Sequence, residues 1–187
     1  MSCDCFRRRL RRYLAEWLRD EENGNRGKKY STSWAPFEVA NGSPAPQHRR
    51  GEVLPENPLT ASAWALAREG RYTEAEIALA RSIVEQQHPR VLVDYGRFLL
   101  GLGRSDQARL VLEGAVAVAR DHGDESVLAV AAGNLGHVLR ARGDLAAAEQ
   151  MYEKALEAAD RLLSPAHIAR AQALLASLRP PPADGAE

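Results

Sequence analysis

The 187-residue sequence predicts an all-α protein made of antiparallel helix-turn-helix units stacked on one another. Glycines stand at positions 70, 103 and 143, and the residue types around each of them repeat at fixed distances. Between these glycines, apolar residues follow the three-to-four-residue spacing of amphipathic helices. A recurrence of this length is typical of repeat proteins, in which each unit buries its apolar face against the next one.

The repeated residues suit the junction of two helices that lie close together. Glycine can end a helix in the left-handed conformation without a Cβ penalty, and small residues near the turn let two helices approach each other. An apolar residue lies four positions before each glycine, an alanine five after it and a large apolar residue nine after it. These sets are Leu66, Leu99 and Leu139; Ala75, Ala108 and Ala148; and Leu79, Leu112 and Tyr152.

The first predicted helix lies within residues 1–22 and is amphipathic, with arginines opposite an apolar stripe. The stripe consists of Phe6, Leu10, Tyr13, Leu14, Trp17 and Leu18. A helix of this length is marginal alone, and its charge order opposes the helix dipole, so it needs a surface to lie against. The stripe favours docking on the helical domain or on a partner helix. The alternatives are an anionic membrane surface and, less favoured than the membrane, nucleic acid phosphates.

Helical periodicity disappears over residues 23–55, where glycine, proline and small polar residues predict a flexible linker. Trp34 and Phe37 are its clustered large apolar residues. We expect them to pin the linker to the helical domain, with a short linear motif as the alternative. Cys3 and Cys5 are the two cysteines of the sequence. They supply neither a disulfide framework nor four metal ligands, so we expect free thiols at a frayed end.

The helical domain is expected to span residues 56–178, followed by a disordered tail at 179–187. Pro89 can open a helix, because the first helical position needs no backbone N–H. Ser164 is expected to be the N-cap of a last helix whose first residue is Pro165. One face of that helix is expected to be exposed to solvent, as the end of a repeat array requires. Longer helices on both sides of residues 121–126 are expected to take up the wider spacing before Gly143.

Charge and composition restrict the function classes. Lys plus Arg and Asp plus Glu both number 25, so no global field attracts the protein to nucleic acid or to an anionic membrane. The sequence contains no secretory signal and no apolar run long enough to cross a membrane, and we expect a soluble, cytoplasmic protein. The excess of arginine over lysine and the abundance of alanine indicate high-GC coding and a bacterial source.

Catalysis and cofactor binding have no support in the sequence. The five histidines are scattered, and no phosphate-binding loop, nucleophile elbow or metal-ligand spacing is present. Glu149 and Glu153 are four residues apart, and we interpret them as a solvated helix face that pairs with Lys154. The prediction is a protein that is not an enzyme and has no cofactor and no metal site.

The recurring pattern resembles the tetratricopeptide repeat. The third copy carries the resemblance through Leu135, Gly136, Gly143, Leu145, Ala148, Tyr152, Ala155 and Leu156. The second copy carries it through Leu92, Tyr95, Gly96, Gly103, Ala108 and Ala115, and the first through Leu59, Leu66, Gly70, Tyr72 and Ala75. Ser62, Ser82 and Ser105 depart from the pattern. The resemblance covers about residues 56–163 and implies a short right-handed α-solenoid of three repeats with a capping helix, acting as an interaction module, adaptor or scaffold.

In tetratricopeptide repeats the first helix of each pair lines the concave groove, so the resemblance implies a partner-binding site there. The candidate residues are Trp64, Arg68, Arg90, Asp94, Arg97, Asn134, His137 and Arg140. Four arginines against one aspartate make the groove basic, which favours an acidic segment or a C-terminal carboxylate because guanidinium groups bind carboxylates through paired hydrogen bonds. Asn134 is expected to bind a peptide backbone through its amide.

The sequence leaves three hypotheses about function open. The first is a non-catalytic module that binds a peptide or partner protein in the groove. The second is a regulatory or assembly protein tethered to a membrane or to nucleic acid by its N-terminal helix, with self-associating repeats. The third is self-inhibition, in which that helix occupies the groove. A chaperone adaptor is disfavoured, because Thr60 and Trp64 stand where the chaperone-binding clamp of some family members has lysine and asparagine.

Overall fold

The computed structural model describes residues 3–23, 60–86 and 88–178, with the backbone alone at residues 3–7 and 86. Helices dominate these residues, no strand occurs among them, and the all-α prediction is confirmed. The predicted linker with Trp34 and Phe37, and the predicted tail, lie outside the described residues. The helices are α1 (Cys3–Glu22), α2 (Ala61–Arg68), α3 (Tyr72–Gln86), α4 (Pro89–Gly101), α5 (Ser105–Asp121), α6 (Glu125–Ala141), α7 (Leu145–Arg161) and α8 (Pro165–Ala176).

Three hairpins follow one another along the chain: α2 with α3, α4 with α5, and α6 with α7. Each turns at one of the predicted glycines, which have φ angles of +78° at Gly70, +75° at Gly103 and +82° at Gly143. Neighbouring hairpins pack through α3 on α4 and α5 on α6, while α4 and α8 both contact α6. The first helices therefore lie side by side, as in an α-solenoid, and α8 continues their row.

The described turns between helices share one pair of backbone hydrogen bonds, which closes the end of the preceding helix. At Gly143, its N–H donates to the Arg140 carbonyl at 3.0 Å, and the next N–H, of Asp144, donates to the Leu139 carbonyl at 3.0 Å. The turn between α7 and α8 differs in one residue, because Leu163 takes the glycine position with a φ of +52° and a side chain that is 83% exposed.

Two further glycines allow the helices of a hairpin to touch. A Cβ atom at Gly96 would lie 2.6 Å from Leu112 Cγ, and one at Gly136 would overlap the Tyr152 ring. Both contacts are shorter than van der Waals packing permits. The small residues seven positions before Gly103 and Gly143 are thus required by the approach of α4 to α5 and of α6 to α7.

The edges of the helices agree with the expectations except at one cap. Pro89 is the first residue of α4, and α5 and α6, on both sides of residues 121–126, have 17 residues each against 13 in α4. Ser164 stands at the N-cap of α8 but makes no capping hydrogen bond. Its hydroxyl pairs with His167 Nδ1 at 2.8 Å instead. Ser164 and Pro165 thus hold the predicted N-cap and first helical positions, without the capping hydrogen bond.

Helix α1 packs on α3 and α5, the second helices of the first two hairpins. Leu10, Leu14 and Leu18 of its apolar stripe are buried, and Tyr13 and Trp17 are partly buried against the core. The side chain of Phe6 is outside the described residues. This placement contradicts the self-inhibition hypothesis, because α1 lies on the second helices and not on the face that the first helices form.

Candidate partner-binding face

The eight predicted groove residues lie on three first helices. Trp64 and Arg68 are on α2, Arg90, Asp94 and Arg97 are on α4, and Asn134, His137 and Arg140 are on α6. We call the surface formed by α2, α4, α6 and α8 the first-helix face. Six of these side chains form a cluster between α2 and α4 and a set of separate contacts on α6. Of the other two, Arg68 is exposed and Arg90 is partly exposed.

Trp64, Asp94 and Arg97 meet between α2 and α4. The Arg97 guanidinium carbon lies 5.4 Å from the centre of the Trp64 ring, within the range of a cation–π contact. Arg97 Nη1 is 3.6 Å from Asp94 Oδ1. On the other side of the cluster, the Trp64 ring meets Phe98 edge to face at 6.3 Å between ring centres. Arg97 is therefore held between an aromatic ring and a carboxylate.

Asp94 is buried within this cluster. Its Oδ2 accepts a hydrogen bond of 2.7 Å from the hydroxyl of Thr60, the residue before α2, and its side chain is 4% exposed whereas that of Arg97 is 24% exposed. A buried carboxylate needs such partners to offset its lost hydration. The aspartate thus joins α4 to α2, and the arginine is the charged group of the pair that reaches the surface.

Asn134 lies buried in α6 and serves its own helix. Its Nδ2 donates a hydrogen bond of 2.8 Å to the carbonyl of Val130, one turn earlier, and the residue is 5% exposed. This bond uses one of the two N–H groups of the Asn134 amide, which also has an acceptor oxygen. The expectation that the Asn134 amide binds a peptide backbone therefore stays a prediction.

His137 and Arg140 contact two different neighbours. His137 Nδ1 lies 3.3 Å from the Tyr152 hydroxyl, and the two rings meet edge to face, so His137 packs towards α7. Arg140 donates from Nη1 to Ser177 Oγ at 2.9 Å and so joins α6 to the end of α8. Burial raises the pKa of Tyr152, and the charge of nearby Arg140 opposes that shift.

The structure adds residues to this face that sequence reasoning missed. Phe98 supports Trp64, Ser177 binds Arg140, and the half-buried Arg170 of α8 lines a small cavity with Val130 of α6. The signal for α8 was present in the sequence, because a helix that follows three hairpins takes the place of a first helix. The sequence-based prediction assigns α8 a capping role and places no binding residue on it.

A second polar cluster, also missed, is buried where α1 covers the hairpins. Glu76 Oε1 accepts hydrogen bonds of 2.8 Å from Arg104 Nη1 and 3.2 Å from the Tyr95 hydroxyl. Burial raises the pKa of the Glu76 carboxyl, Arg104 and Tyr95 oppose the shift, and Glu21 of α1 adds to it. Burial also raises the pKa of Tyr95 and of Tyr13 on α1, and in both the Glu76 charge raises it further.

The part of the chain that the structure describes contains no group of three His, Cys, Asp or Glu side chains arranged to hold a metal ion. Within the same ranges, none of the helices combines the length and the apolar character needed to span a membrane.

Comparison with protein families identifies the repeat. The tetratricopeptide repeat family matches residues 87–161 and, in an overlapping match, residues 127–178. These residues form α4 to α8, with their glycine turns and close helix crossings. The chain is a tetratricopeptide repeat protein. Its first hairpin precedes both matches and continues the tetratricopeptide array through the same glycine turn and through the packing of α3 on α4.

Among solved structures, this tetratricopeptide repeat protein is similar to the N-terminal domain of stress-induced protein-1 (STI-1) from C. elegans. The two share 17% sequence identity with a TM-score of 0.49, and the match covers 64% of this chain and 98% of that chain. A comparison with curated proteins gives no match.

Proposed function

We propose that this tetratricopeptide repeat protein is a non-catalytic adaptor that binds an acidic peptide, or the C-terminal carboxylate of a partner protein, on its first-helix face. Tetratricopeptide repeats form protein interaction modules, which supports the general part of this proposal. The acidic character of the partner and the binding residues are our inference from the side chains described above.

The proposal rests on the position of the Arg97 side chain. Its guanidinium is held over Trp64 and beside Asp94, yet it reaches the surface. A side chain that is ordered before the ligand arrives loses less conformational entropy on binding. The planar guanidinium also matches the two oxygens of a carboxylate. Arg97 thus combines the chemistry and the order that a carboxylate anchor needs.

The charge of the surrounding face supports an acidic partner. Arg68 is exposed, and Arg90, Arg140 and Arg170 are partly exposed on α4, α6 and α8. Asp94, the carboxylate among the predicted groove residues, is buried and hydrogen-bonded. Complementary charge of this kind raises the association rate and rejects partners of the wrong sign.

The test measures binding of labelled short peptides to the full chain by fluorescence anisotropy. One peptide is acidic with a free C-terminus, a second has the same sequence with a C-terminal amide, and a third has glutamine in place of each glutamate. We expect Arg97→Gln combined with Arg140→Gln to weaken binding of the acidic peptide about tenfold or more, since hydrogen bonds to charged groups contribute about 1.5–3 kcal/mol each.

The matched control is Arg12→Gln combined with Arg19→Gln, which removes two exposed arginines from the outer face of α1. We expect it to leave peptide affinity unchanged. Equal affinity for the acidic and the glutamine peptides, or equal losses in the two double variants, would refute the groove assignment. The difference between the free acid and the amide shows whether the terminal carboxylate or the acidic side chains are recognised.

Anchoring through the N-terminal helix is the weaker candidate. Insertion into a membrane interface uses the apolar side of an amphipathic helix, and Leu10, Leu14 and Leu18 of α1 are already buried against the hairpins. Nucleic acid binding or self-association would use the outer face instead, and no contact of the described residues points to either one.

A further inference from the structure

The junction between the first and second hairpins differs from the junctions that follow it. Among the described residues, α4 packs on α6 and α6 packs on α8, whereas the backbone of α2 does not approach α4 in this way. Helix α2 has 8 residues in the structure, against 13 in α4 and 17 in α6. The direct packing of helices between the first two hairpins is therefore that of α3 on α4.

Side chains span the gap between α2 and α4 on the first-helix face. The Thr60 hydroxyl donates a hydrogen bond of 2.7 Å to Asp94. The Trp64 ring centre lies 5.4 Å from the Arg97 guanidinium carbon, and the ring meets Phe98 edge to face. Cation–π contacts require a separation of about 6 Å or less, so a small rotation of one hairpin on the other would break this one. The contact of Arg97 with Trp64 therefore depends on the position of the first hairpin.

Helix α1 connects the two hairpins on the side of the second helices. It contacts α3 of the first and α5 of the second, and in the described structure α3 and α5 do not pack on each other. The Arg11 guanidinium donates a hydrogen bond of 2.9 Å to the Val84 carbonyl of α3, and Glu22 forms an ion pair of 2.8 Å with Arg81 of α3. Three leucines of α1 are buried there: Leu10, Leu14 and Leu18.

Glu76 joins α3 to the second hairpin without help from α1. Its carboxylate accepts hydrogen bonds of 2.8 Å from Arg104 and 3.2 Å from the Tyr95 hydroxyl, both of which belong to the second hairpin or its turn. The junction is thus fixed where α3 meets α4. It is supported on the side of the second helices by α1, and on the first-helix face by the side chains around Trp64.

We infer that the docking of α1 and the binding of a ligand on the first-helix face are coupled through this junction. While α1 is docked, it holds the first hairpin where Trp64 orders Arg97 for a carboxylate. A carboxylate bound by Arg97 stabilises the same arrangement from the other face. Because coupling between two sites is reciprocal, the ligand strengthens the docking of α1 by the factor by which docked α1 strengthens ligand binding.

The ligand in this inference, an acidic peptide, rests on the proposed function, but the coupling of α1 to α2 can be measured without it. Hydrogen–deuterium exchange of the full chain reports on both helices, with the amides of α6 and α7 as the reference for global unfolding. Arg81→Glu places a like charge beside Glu22 and should lower the protection of the α1 amides by up to about fivefold, the range of an exposed ion pair. The amides of α2, a helix that α1 does not contact in the described structure, should lose protection with them.

Two further variants isolate the ion pair. Arg81→Glu combined with Glu22→Arg exchanges the charges and should restore the protection of both helices. Arg120→Glu makes the same change of charge on α5, where Arg120 pairs with its neighbour Asp121, and it should leave both helices unchanged. If Arg81→Glu lowers the protection of α1 while that of α2 stays constant, the inference is overturned.

The acidic peptide measures the coupling from the other face. At saturation it should raise the protection of the wild-type α1 amides about fivefold or more, the lower end of typical coupling between sites, and the glutamine peptide should not. Leu14→Ala removes a side chain that is 2% exposed and should undock α1, so peptide affinity should fall by a similar factor. Leu14→Met, which keeps most of the packing volume, should retain the wild-type affinity.

Failure of the coupling and failure of the proposed function give different results. If the acidic peptide does not bind the wild type, the proposed function is refuted, and the α2 amides in Arg81→Glu decide the coupling alone. A peptide that binds without changing α1 protection, or that binds Leu14→Ala as tightly as the wild type, overturns the coupling. If Leu14→Ala also exposes the amides of α6 and α7, the protection of α1 by the peptide in the wild type decides.

Discussion

Leu163 occupies a backbone position that glycine fills in the other described turns between helices. Gly70, Gly103, Gly123 and Gly143 all have positive φ there. A side chain in the left-handed region costs about 1–2 kcal/mol, because Cβ approaches the following carbonyl oxygen. Since the Leu163 side chain is 83% exposed, burial returns little of that energy. The turn between α7 and α8 is therefore the strained one of the set.

Replacing this leucine should stabilise the protein. We expect Leu163→Gly to raise the free energy of unfolding by about 0.5–1 kcal/mol, which is the relief of strain less the greater freedom of glycine in the unfolded chain. Urea denaturation measures the change. The reverse substitution, Gly143→Leu, serves as the control and should destabilise. A lower stability of Leu163→Gly would show that the leucine makes a contact that offsets its strain.

At the scale of single residues, the sequence predicts the roles of residues that recur in every repeat. It does not predict the roles of residues that occur in one copy only. The turn glycines and the small residues at the crossings recur in register, so their roles could be predicted together. The sequence gives no sign of the turn at Leu163, because leucine disfavours the left-handed backbone conformation that it adopts there. The hydrogen bond from the Asn134 amide to the Val130 carbonyl could not be predicted either, because it depends on the side-chain conformation of a single residue.

At the scale of elements, the close approach of α6 to α7 depends on glycine, with no side chain, at position 136. Gly136→Ala would place a methyl group into the Tyr152 ring, and overpacking of this kind costs about 1–3 kcal/mol. Gly133→Ala, on the same helix, meets only Leu174 Cδ1 at 3.4 Å, and alanine is the better helix former by about 1 kcal/mol. We expect the first variant to lower the thermal midpoint and the second to leave it unchanged or raise it. Equal effects would contradict the crossing geometry.

The sequence predicted that α1 needs a surface to dock on, but it did not predict which surface. The apolar stripe of α1 indicated a need for cover, but three surfaces could have supplied it. The complementary signal lies in α3, which is apolar on two sides: Leu79 and Ile83 face the hairpin core, and Ala80 and Val84 follow a second row. A helix that is apolar on both sides is buried on both sides. Repeat alignment hides this second row, because the row differs between copies.

For the whole molecule, each hairpin contacts its neighbours along the chain, and α1 bridges the first two. The stability of such arrays is close to a sum of unit and interface contributions. The third hairpin and α8 lie outside the bridge. They should open before the rest of the protein when a core residue there is removed.

Leu135→Ala tests that order of opening. Leu135 is buried in α6, and truncation of a buried leucine costs about 2–5 kcal/mol. Hydrogen exchange should show loss of protection in α6 to α8 while α3 to α5 remain protected. The control is Leu145→Ala, the same substitution at a leucine of this hairpin that is 53% exposed, which should change little. A uniform loss of protection in Leu135→Ala would mean that the array unfolds as one unit.

The cover that α1 provides also means that the hairpins cannot be exchanged for one another. A longer array made by inserting a further copy of α6 and α7 would present Glu149, Glu153 and Glu157 to water and should stay soluble. An array lengthened with α2 and α3 would expose Ala80, Val84 and the carboxylate of Glu76, which are buried or partly buried in this protein. We therefore expect an array to tolerate duplication of the third hairpin, and to tolerate duplication of the first only if α1 is duplicated with it.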